Sequence, residues 1–163
     1  MDRFYVELND LFVTTYRLIE RVEEVALRDL SDAKLTISEM HLIECIGGAG
    51  TEGRILADIA QELEISPPSA TVAVKRLEKK GYVTKDRCAQ DARRIHVRLT
   101  KEGQRAEIAH RYFHRKMARA VAAKMDETER AVLFGSIQKL NDFLRLQANG
   151  MIGIIQGKGS ENK

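Results

Sequence analysis

Residues 66–83 read SPPSATVAVKRLEKKGYV, and this segment decides the fold. Ser66 is a good N-cap, and Pro67 suits the first helical position, where the backbone needs no amide donor. Gly81 favours the end of a helix. The segment therefore predicts a helix that begins after Ser66 and runs to Lys80. Its inner face consists of the apolar positions Ala70, Ala73, Val74 and Leu77.

A shorter helix precedes this one at roughly Arg54–Leu63, with Ile55, Ile59 and Leu63 facing inward. Only the dipeptide Glu64-Ile65 separates the two helices. Two short helices joined by such a turn, with basic residues on the second, are typical of a helix-turn-helix.

A charged hairpin follows the second helix. Tyr82–Thr84 and Ile95–Leu99 have strand character, and the polar segment Asp86–Arg94 lies between them. A helix-turn-helix that is followed by such a hairpin is a winged helix. We therefore expect a mainly α fold with a small β-hairpin wing.

Helices are also predicted before this region. Residues 3–28 form an amphipathic helix, because apolar residues recur at steps of three or four. That stripe comprises Tyr5, Leu8, Phe12, Tyr16, Ile19, Val22 and Ala26. Thr36 and Glu39 have capping-box spacing and open a second helix, which we expect to end at Gly47-Gly48.

Two more helices are predicted after the hairpin. Thr100 caps a long helix that reaches about Lys124, and Asp126 caps another, with Glu129 three residues later. The apolar stripe of the last helix is Leu133, Ile137, Leu140 and Leu144. A glycine-rich tail begins at Asn149.

Charge is distributed unevenly along the 163 residues, although the net charge is only +3. Residues 1–66 carry 6 basic and 14 acidic groups, whereas residues 67–98 carry 9 and 3 and residues 99–163 carry 12 and 7. A basic block of this density in mid-chain favours a phosphate-bearing partner.

Several classes of protein are excluded by what the sequence contains. Two cysteines cannot build a disulfide framework, which favours a reducing compartment. The uncharged stretch Leu146–Gly157 has 12 residues and is too short to span a bilayer. Acidic residues within the first ten positions do not fit a signal peptide, so we expect a cytoplasmic protein. No phosphate loop, His-Glu-x-x-His or nucleophile motif indicates an enzyme, and we expect no cofactor.

The outer face of the helix that begins after Ser66 has the residues of a DNA-recognition helix. Its first turns would enter the major groove, where Val72 could touch a thymine methyl group and Ser69 could hydrogen-bond a base or phosphate. Lys75 and Arg76 would mostly contact phosphate. The candidate DNA-binding residues are Ser66, Pro68, Ser69, Val72, Lys75 and Arg76, with Asp91, Arg93 and Arg94 in the hairpin loop.

The hairpin loop is the second candidate DNA contact. A guanidinium at its tip could reach into the minor groove, and Asp91 would orient Arg93, two residues on. The alternative is that both basic segments are ordinary solvated surfaces, with an ion pair of small stabilising value in the loop.

Five pieces within residues 35–103 form a specific pattern when taken together. They are Leu35-Thr36-Ile37-Ser38-Glu39, Ile59-Ala60 with Leu63, Ser66 through Val83, Asp91-x-Arg93, and Leu99-Thr100-x-x-Gly103. In these pieces the chain resembles the MarR family of winged-helix transcription factors. The family's frequent Asp-Arg-Arg wing reads Asp91-Ala92-Arg93 here, so Arg94 would have to supply the charge of the middle arginine.

The resemblance implies a homodimer that binds a pseudo-palindromic site in double-stranded DNA, with two recognition helices about 34 Å apart. Residues 1–34 would be an N-terminal dimerisation helix, 35–100 the winged helix-turn-helix and 101–149 the C-terminal dimerisation helices. Residues 150–163 would be the glycine-rich tail. The apolar stripes agree, because a winged-helix core is too small to cover them.

Within that family, residues 15–145 resemble the repressors of bacterial fatty-acid synthesis. The similar positions are Ile19, Glu23–Arg28, Glu39–His41, Ile43, His110, Phe113, His114, Met117 and Phe143-Leu144. The resemblance implies repression of fatty-acid-synthesis genes, with a long acyl chain on acyl carrier protein as corepressor. His110, Phe113, His114 and Met117 fall on one helix face and would bind the effector. Cations on the same helix, Arg111, Arg115, Lys116 and Arg119, would dock the acidic carrier protein.

Other effectors remain open. One alternative is that Phe113 and Met117 are core residues and that the cations form a solvated face. Another is that a small aromatic or other ligand releases a MarR-type repressor from DNA. His110 and His114 have the i, i+4 spacing that can bind zinc, but no nearby cysteine or carboxylate completes a site, so we expect no metal. For redox sensing, Cys45 lies in an apolar helical setting, and we interpret it as inert. Cys88 lies near Lys85 and Arg87, which could lower the pKa of its thiol group.

Overall fold

A computed structural model describes residues 2–30, 35–87 and 94–148. The chain divides into two compact units, residues 1–115 and 116–163. In chain order, the helices and strands of the described residues are α1 (Arg3–Leu30), α2 (Ile37–Gly47), β1 (Arg54–Ile55), α3 (Leu56–Glu62), α4 (Pro67–Lys79), β2 (Val83–Arg87), β3 (Ile95–Leu99), α5 (Lys101–Ala122) and α6 (Glu127–Ala148). The mainly α winged-helix fold is confirmed.

The four predicted helix caps are confirmed. Thr36 Oγ1 accepts a hydrogen bond from the Glu39 amide, and the Glu39 carboxylate accepts one from the Thr36 amide. Asp126 and Glu129 make the same reciprocal pair at the start of α6. Single caps begin α4 and α5, where Ser66 Oγ accepts from the Ser69 amide and Thr100 Oγ1 accepts from the Gly103 amide.

The sheet differs from the predicted two-stranded hairpin in having a third strand, with the order β1-β3-β2. Arg54 and Ile55, which we expected to begin a helix, instead pair with Val97 and His96. Gly53, at φ 72°, lies against the Val97 backbone, and this approach brings β1 to the edge of β3. The helix therefore begins only at Leu56.

The first wing strand is also longer than predicted. β2 continues past Thr84 to Arg87, since Lys85, Asp86 and Arg87 pair in register with Val97, His96 and Ile95. Charged residues are poor strand formers by themselves, but one face of a wing is solvated and tolerates them.

The core lies between α2, α3, α4 and the inner face of the sheet. Its fully buried side chains include Met40, Ile43, Ile59, Leu77 and Val97. Burial of one such side chain contributes about 1.5–3 kcal/mol. This core fixes α4 relative to the wing, so the two predicted DNA-binding elements share one rigid base.

The apolar stripe of α1 remains exposed in the single chain. Tyr5, Phe12 and Tyr16 expose 62%, 46% and 64% of their surfaces. On α6, described by itself, Phe134 and Ile137 are exposed by 66% and 55%, and the helix has no buried residue. None of the helices among the described residues has the length and apolar character required to cross a membrane.

Glu39 joins the cap of α2 to the end of α4. Burial alone raises the pKa of its carboxyl group, but hydrogen bonds from Lys80 Nζ, at 2.6 Å, and from Thr36 outweigh that effect and hold the pKa below its ordinary value of 4.5. A lowered folded-state pKa stabilises the protein while the carboxylate is ionised, and this contribution disappears as the pH falls through that pKa.

We therefore expect Glu39→Gln to lower the free energy of unfolding by about 1–2 kcal/mol at pH 7, because it removes a charge-assisted hydrogen bond. The deficit should persist above pH 4.5 and shrink toward pH 3. Urea unfolding at both pH values measures it, with the exposed Asp142→Asn as control. An equal deficit at both pH values would contradict this account of Glu39.

Candidate nucleic-acid interface

Helix α4 is anchored through one face and open on the other. Ala70, Val74 and Leu77 have no exposed surface, and they fix the helix to the core. The opposite face is exposed and carries Pro68, Ser69, Val72, Lys75, Arg76 and Lys79. The predicted division into an inner and an outer face is confirmed.

The first turn of α4 presents hydroxyl groups at an exposed helix N-terminus. Ser66 Oγ and Ser69 Oγ lie 2.8 Å apart, and Thr71 Oγ1 donates to the Pro67 carbonyl oxygen at 2.9 Å. Val72 follows one turn later with 49% of its surface exposed. Small polar groups and one exposed apolar side chain are the kinds of group that can meet base edges in a major groove.

The cations of α4 are available to a partner. Within the described residues, Lys75, Arg76 and Lys79 make no ion pair, whereas the one acidic residue of the helix, Glu78, is neutralised by Lys85 at 2.7 Å. On the neighbouring strands, Arg98 and Asp86 neutralise each other at 2.7 Å. The outer face of α4 is therefore positively charged, and no acidic residue in the described part of the chain neutralises it.

The predicted tip of the wing lies outside the described residues. Asp91, Arg93 and Cys88 belong to that segment. Arg94 is described, and it is exposed immediately before β3.

The predicted effector residues have unequal surroundings on α5. His110 is fully buried, and its two ring nitrogens contact Glu23 at 3.0 Å and Glu44 at 2.7 Å, so its ring does not line an open cavity. Phe113, His114 and Met117 are partly buried.

The four cations predicted to dock a carrier protein, Arg111, Arg115, Lys116 and Arg119, are exposed on the same helix. One of them, Arg111, pairs with Glu107 at 3.1 Å.

The expectation that no carboxylate lies near the histidines of α5 is wrong. Glu23 of α1 reaches both His110 and His114, and the three ligand atoms lie within 4.8 Å of one another. No local pattern could indicate this contact, because His110 follows Glu23 by 87 positions in the sequence.

Cys45 is buried, and burial raises the pKa of its thiol group, although Arg54 opposes the shift. Its thiolate is therefore disfavoured, in agreement with the interpretation that Cys45 is inert.

Known proteins match this chain in sequence and in fold. The sequence profile of the MarR family matches residues 35–95. FabT of Streptococcus pneumoniae, in its crystal structure in complex with DNA, is 31% identical in sequence to this chain, with a TM-score of 0.81. The match covers 86% of this chain and 97% of the FabT chain.

Two further comparisons are more distant. MepR of Staphylococcus aureus, in the crystal structure of its complex with DNA, is 20% identical to this chain, with a TM-score of 0.68. The match covers 84% of this chain and 97% of the MepR chain, and at this identity it supports the fold alone. The Bacillus subtilis helix-turn-helix transcriptional regulator YhjH is 22% identical over 118 residues, or 72% of this chain. The chain spans 66% of that relative, just under two thirds of its length.

Proposed function

This chain belongs to the MarR family of transcriptional regulators, and on that basis we propose that it is a homodimeric repressor that binds a pseudo-palindromic DNA duplex. The observation that carries the proposal is the exposed outer face of α4, whose cations have no partner among the described residues. A helix held rigidly on one side and positively charged on the other is suited to the major groove.

The candidate DNA-binding residues of α4 have separate proposed roles. Ser66, Pro68 and Ser69 approach base edges and phosphate at the start of the helix, and Val72 contacts a thymine methyl group. Lys75 and Arg76 bind phosphates on either side of the groove, which provides affinity more than sequence choice. The complex formed by FabT with DNA supports this arrangement by analogy.

The wing would provide the second contact. We assign Arg93 and Arg94 to the minor groove, where the potential is most negative, and Asp91 to orientation of Arg93. Asp91 and Arg93 lie outside the described residues, and this assignment rests on the sequence.

The exposed apolar faces support dimerisation. Soluble monomers rarely expose large contiguous apolar patches. The large apolar side chains exposed on α1 are Phe4, Tyr5, Val6, Leu11, Phe12, Val13, Tyr16, Leu18, Ile19, Val22 and Val25. A second copy of this chain would cover such a face on both protomers. In the proposed dimer, the two copies of α4 would lie about one DNA turn apart, roughly 34 Å.

We expect Phe12→Asp to shift the protein toward the monomer and to weaken binding to a two-half-site duplex at least tenfold. The substitution places a charge on the apolar face of α1, where it would be desolvated in the dimer. Analytical ultracentrifugation and fluorescence anisotropy measure the two effects. Gln61→Glu, an equal charge at an exposed position of α3 and outside the apolar face, is the control. A Phe12→Asp protein that remains dimeric would exclude this face from the interface.

For the regulated process, we propose that this protein represses fatty-acid-synthesis genes when long acyl chains accumulate. The resemblance of residues 15–145 to such repressors and the similarity to FabT support this role. Long-chain acyl carrier protein would be the corepressor. The exposed cations Arg111, Arg115, Lys116 and Arg119 would dock the acidic carrier, and Phe113, His114 and Met117 would contact the acyl chain.

Binding to a selected duplex, measured with long-chain acyl carrier protein and with unacylated carrier protein, tests the corepressor. We expect the acylated form alone to tighten the DNA complex at least tenfold. The matched variant Arg115→Glu with Arg119→Glu should lose the effect while retaining basal DNA binding. If the acylated carrier has no effect, the fatty-acid role is wrong. If the acylated carrier protein weakens DNA binding, the result would instead favour a repressor that its ligand releases from DNA.

A further inference from the structure

Glu78 is the one acidic residue of α4, and it lies on the same helix as the cations that are proposed to contact DNA. Its Oε2 atom lies 2.7 Å from Nζ of Lys85 in β2. The two side chains are 39% and 30% exposed, so solvent screens the pair only in part. A carboxylate on a helix that approaches phosphates weakens binding, because like charges repel. DNA affinity alone therefore does not explain the presence of Glu78.

Glu78 pairs with a residue of the wing rather than with its neighbour on the helix. Lys75 precedes Glu78 by three positions, a spacing at which side chains of one helix lie side by side. Within the described residues, however, Lys75 makes no ion pair, and the partner of Glu78 is Lys85. Gly81, at φ 83°, follows the end of α4 and turns the chain into β2. The pair thus connects α4 to the wing.

This side-chain contact supplements a connection made by the backbone. The Tyr82 amide donates to the Leu77 carbonyl oxygen at 3.0 Å and joins the end of α4 to the start of β2. Lys85 lies three residues further along, opposite Val97 of β3. Its contact with Glu78 holds β2 to α4 at a second point, nearer the tip of the wing. The pair therefore limits movement of the wing relative to α4.

The pair also occupies a cation that would otherwise bind DNA. In the proposed complex α4 lies in the major groove and the wing in the minor groove, and a sugar-phosphate strand separates the two grooves. Lys85 lies between α4 and the wing tip, so a free ammonium group there would contact that strand whatever its sequence. If Lys85 leaves Glu78 for a phosphate, an unpaired carboxylate remains beside the DNA and opposes the gain.

The next residue of β2 makes a second pair of this kind. Asp86 Oδ2 lies 2.7 Å from Arg98 Nη1 on β3. In the described part of the chain, Lys85 and Arg98 at the base of the wing are therefore neutralised, whereas Lys75 of α4 is not. Among these residues, the cation on the outer face of α4 is free to bind phosphate, and those between α4 and the wing tip are paired.

We propose that Glu78 is a specificity-determining residue: by pairing with Lys85, it fixes the wing relative to α4 and keeps sequence-independent binding to phosphate weak. This inference rests on the proposed binding of DNA through α4. On its specific site the protein must place α4 and the wing in their grooves together, and a fixed wing favours that arrangement. On unrelated DNA the contacts are mainly to phosphate, so there the pair only lowers the affinity.

Glu78→Gln tests this role, because the amide keeps the shape of the side chain and removes its charge. The change frees Lys85 in both protomers, and each new phosphate contact contributes about 0.9 to the slope of the logarithm of the association constant against that of the salt concentration. Two contacts make this slope steeper by about 1.8 and strengthen binding to a duplex of unrelated sequence about 30-fold at 0.15 M salt.

Binding to a duplex selected by the wild-type chain should respond differently. The free cation strengthens this complex as well, but loss of the fixed wing offsets most of the gain. We expect Glu78→Gln to strengthen specific binding by less than about threefold, so that the ratio of specific to non-specific affinity falls about tenfold. Fluorescence anisotropy with the full chain and both duplexes measures the two affinities.

Two further variants separate the charge from the position of the wing. Glu78→Gln with Lys85→Gln restores the net charge, so we expect non-specific binding to return to the wild-type level while specific binding stays about tenfold weaker. Glu102→Gln is the matched control, because Glu102 is an exposed acidic residue of α5 that lies 3.9 Å from Arg105, outside α4 and the wing. It should leave the ratio of the two affinities unchanged.

The outcomes distinguish this role of Glu78 from the proposed function. If the wild-type chain selects a duplex but Glu78→Gln and Glu102→Gln have the same affinity ratio, the role of Glu78 is wrong and DNA binding stands. If the double variant recovers the wild-type ratio, the pair does not fix the wing, and the proposal is also overturned. If the wild-type chain binds no duplex, DNA binding through α4 is wrong, and the role of Glu78 is wrong with it.

Discussion

Replacing Lys75 and Arg76 with alanine is expected to make the salt dependence of duplex binding less steep. The slope of log K, the logarithm of the association constant, against the logarithm of the salt concentration should decrease in magnitude by about 3.6. Each phosphate contact contributes about 0.9 to that slope, and two contacts in each of two protomers make four. Both cations are exposed and unpaired within the described part of the chain, so their loss disturbs no internal contact. The same arithmetic gives an affinity loss of about a thousandfold at 0.15 M salt.

A control variant that loses two cations outside α4 distinguishes the loss of phosphate contacts from a change in net charge. Lys124→Ala with Lys139→Ala removes two exposed cations outside α4. We expect this control to change the slope by less than one, and circular dichroism should show both double variants folded. Equal slopes for the two double variants would mean that α4 does not contact phosphate.

Gly103→Ala is expected to lower the free energy of unfolding by about 3 kcal/mol or more. Gly103 lies in the first turn of α5, and a Cβ atom there would overlap the carbonyl oxygen of Tyr82. That oxygen also accepts the Thr100 amide at 3.0 Å, so it cannot turn away without loss of the hydrogen bond. The close contact holds the start of α5 against the end of α4 and the beginning of β2.

The same substitution at another glycine provides the control. Gly48 has φ −60°, and the nearest atoms to an added Cβ would be 3.5 Å away, an ordinary contact. We expect Gly48→Ala to change stability by less than about 1 kcal/mol. Urea unfolding followed by circular dichroism measures both variants. If the two variants are equally stable, close packing does not explain why a glycine occupies position 103 in the pattern Leu99-Thr100-x-x-Gly103.

Local signals account for the parts of the fold that could be predicted. Caps such as Thr36, Ser66 and Asp126 act within three residues of themselves, so their hydrogen bonds are visible in the sequence. The strand at Arg54-Ile55 could not be predicted in this way, because it exists only through pairing with Val97 and His96, more than 40 residues later.

The same distinction applies to the candidate sites. The two faces of α4 followed from helical periodicity, because its buried and exposed positions differ clearly in polarity. Periodicity also placed His110 and His114 on one face of α5, but it could not indicate what faces them. Glu23 and Glu44 determine the surroundings of His110, and only the packing of α1 and α2 against α5 reveals that contact.

Selection of duplexes from a random-sequence DNA library by the full chain, at 0.15 M salt, tests the central claim most directly. A homodimer with α4 in the major groove should enrich an inverted repeat whose half-site centres lie about 10 base pairs apart. The variant with Lys75→Ala and Arg76→Ala should enrich no sequence under the same conditions. Failure of the wild-type chain to enrich any duplex, or enrichment of a site without two-fold symmetry, would contradict the account.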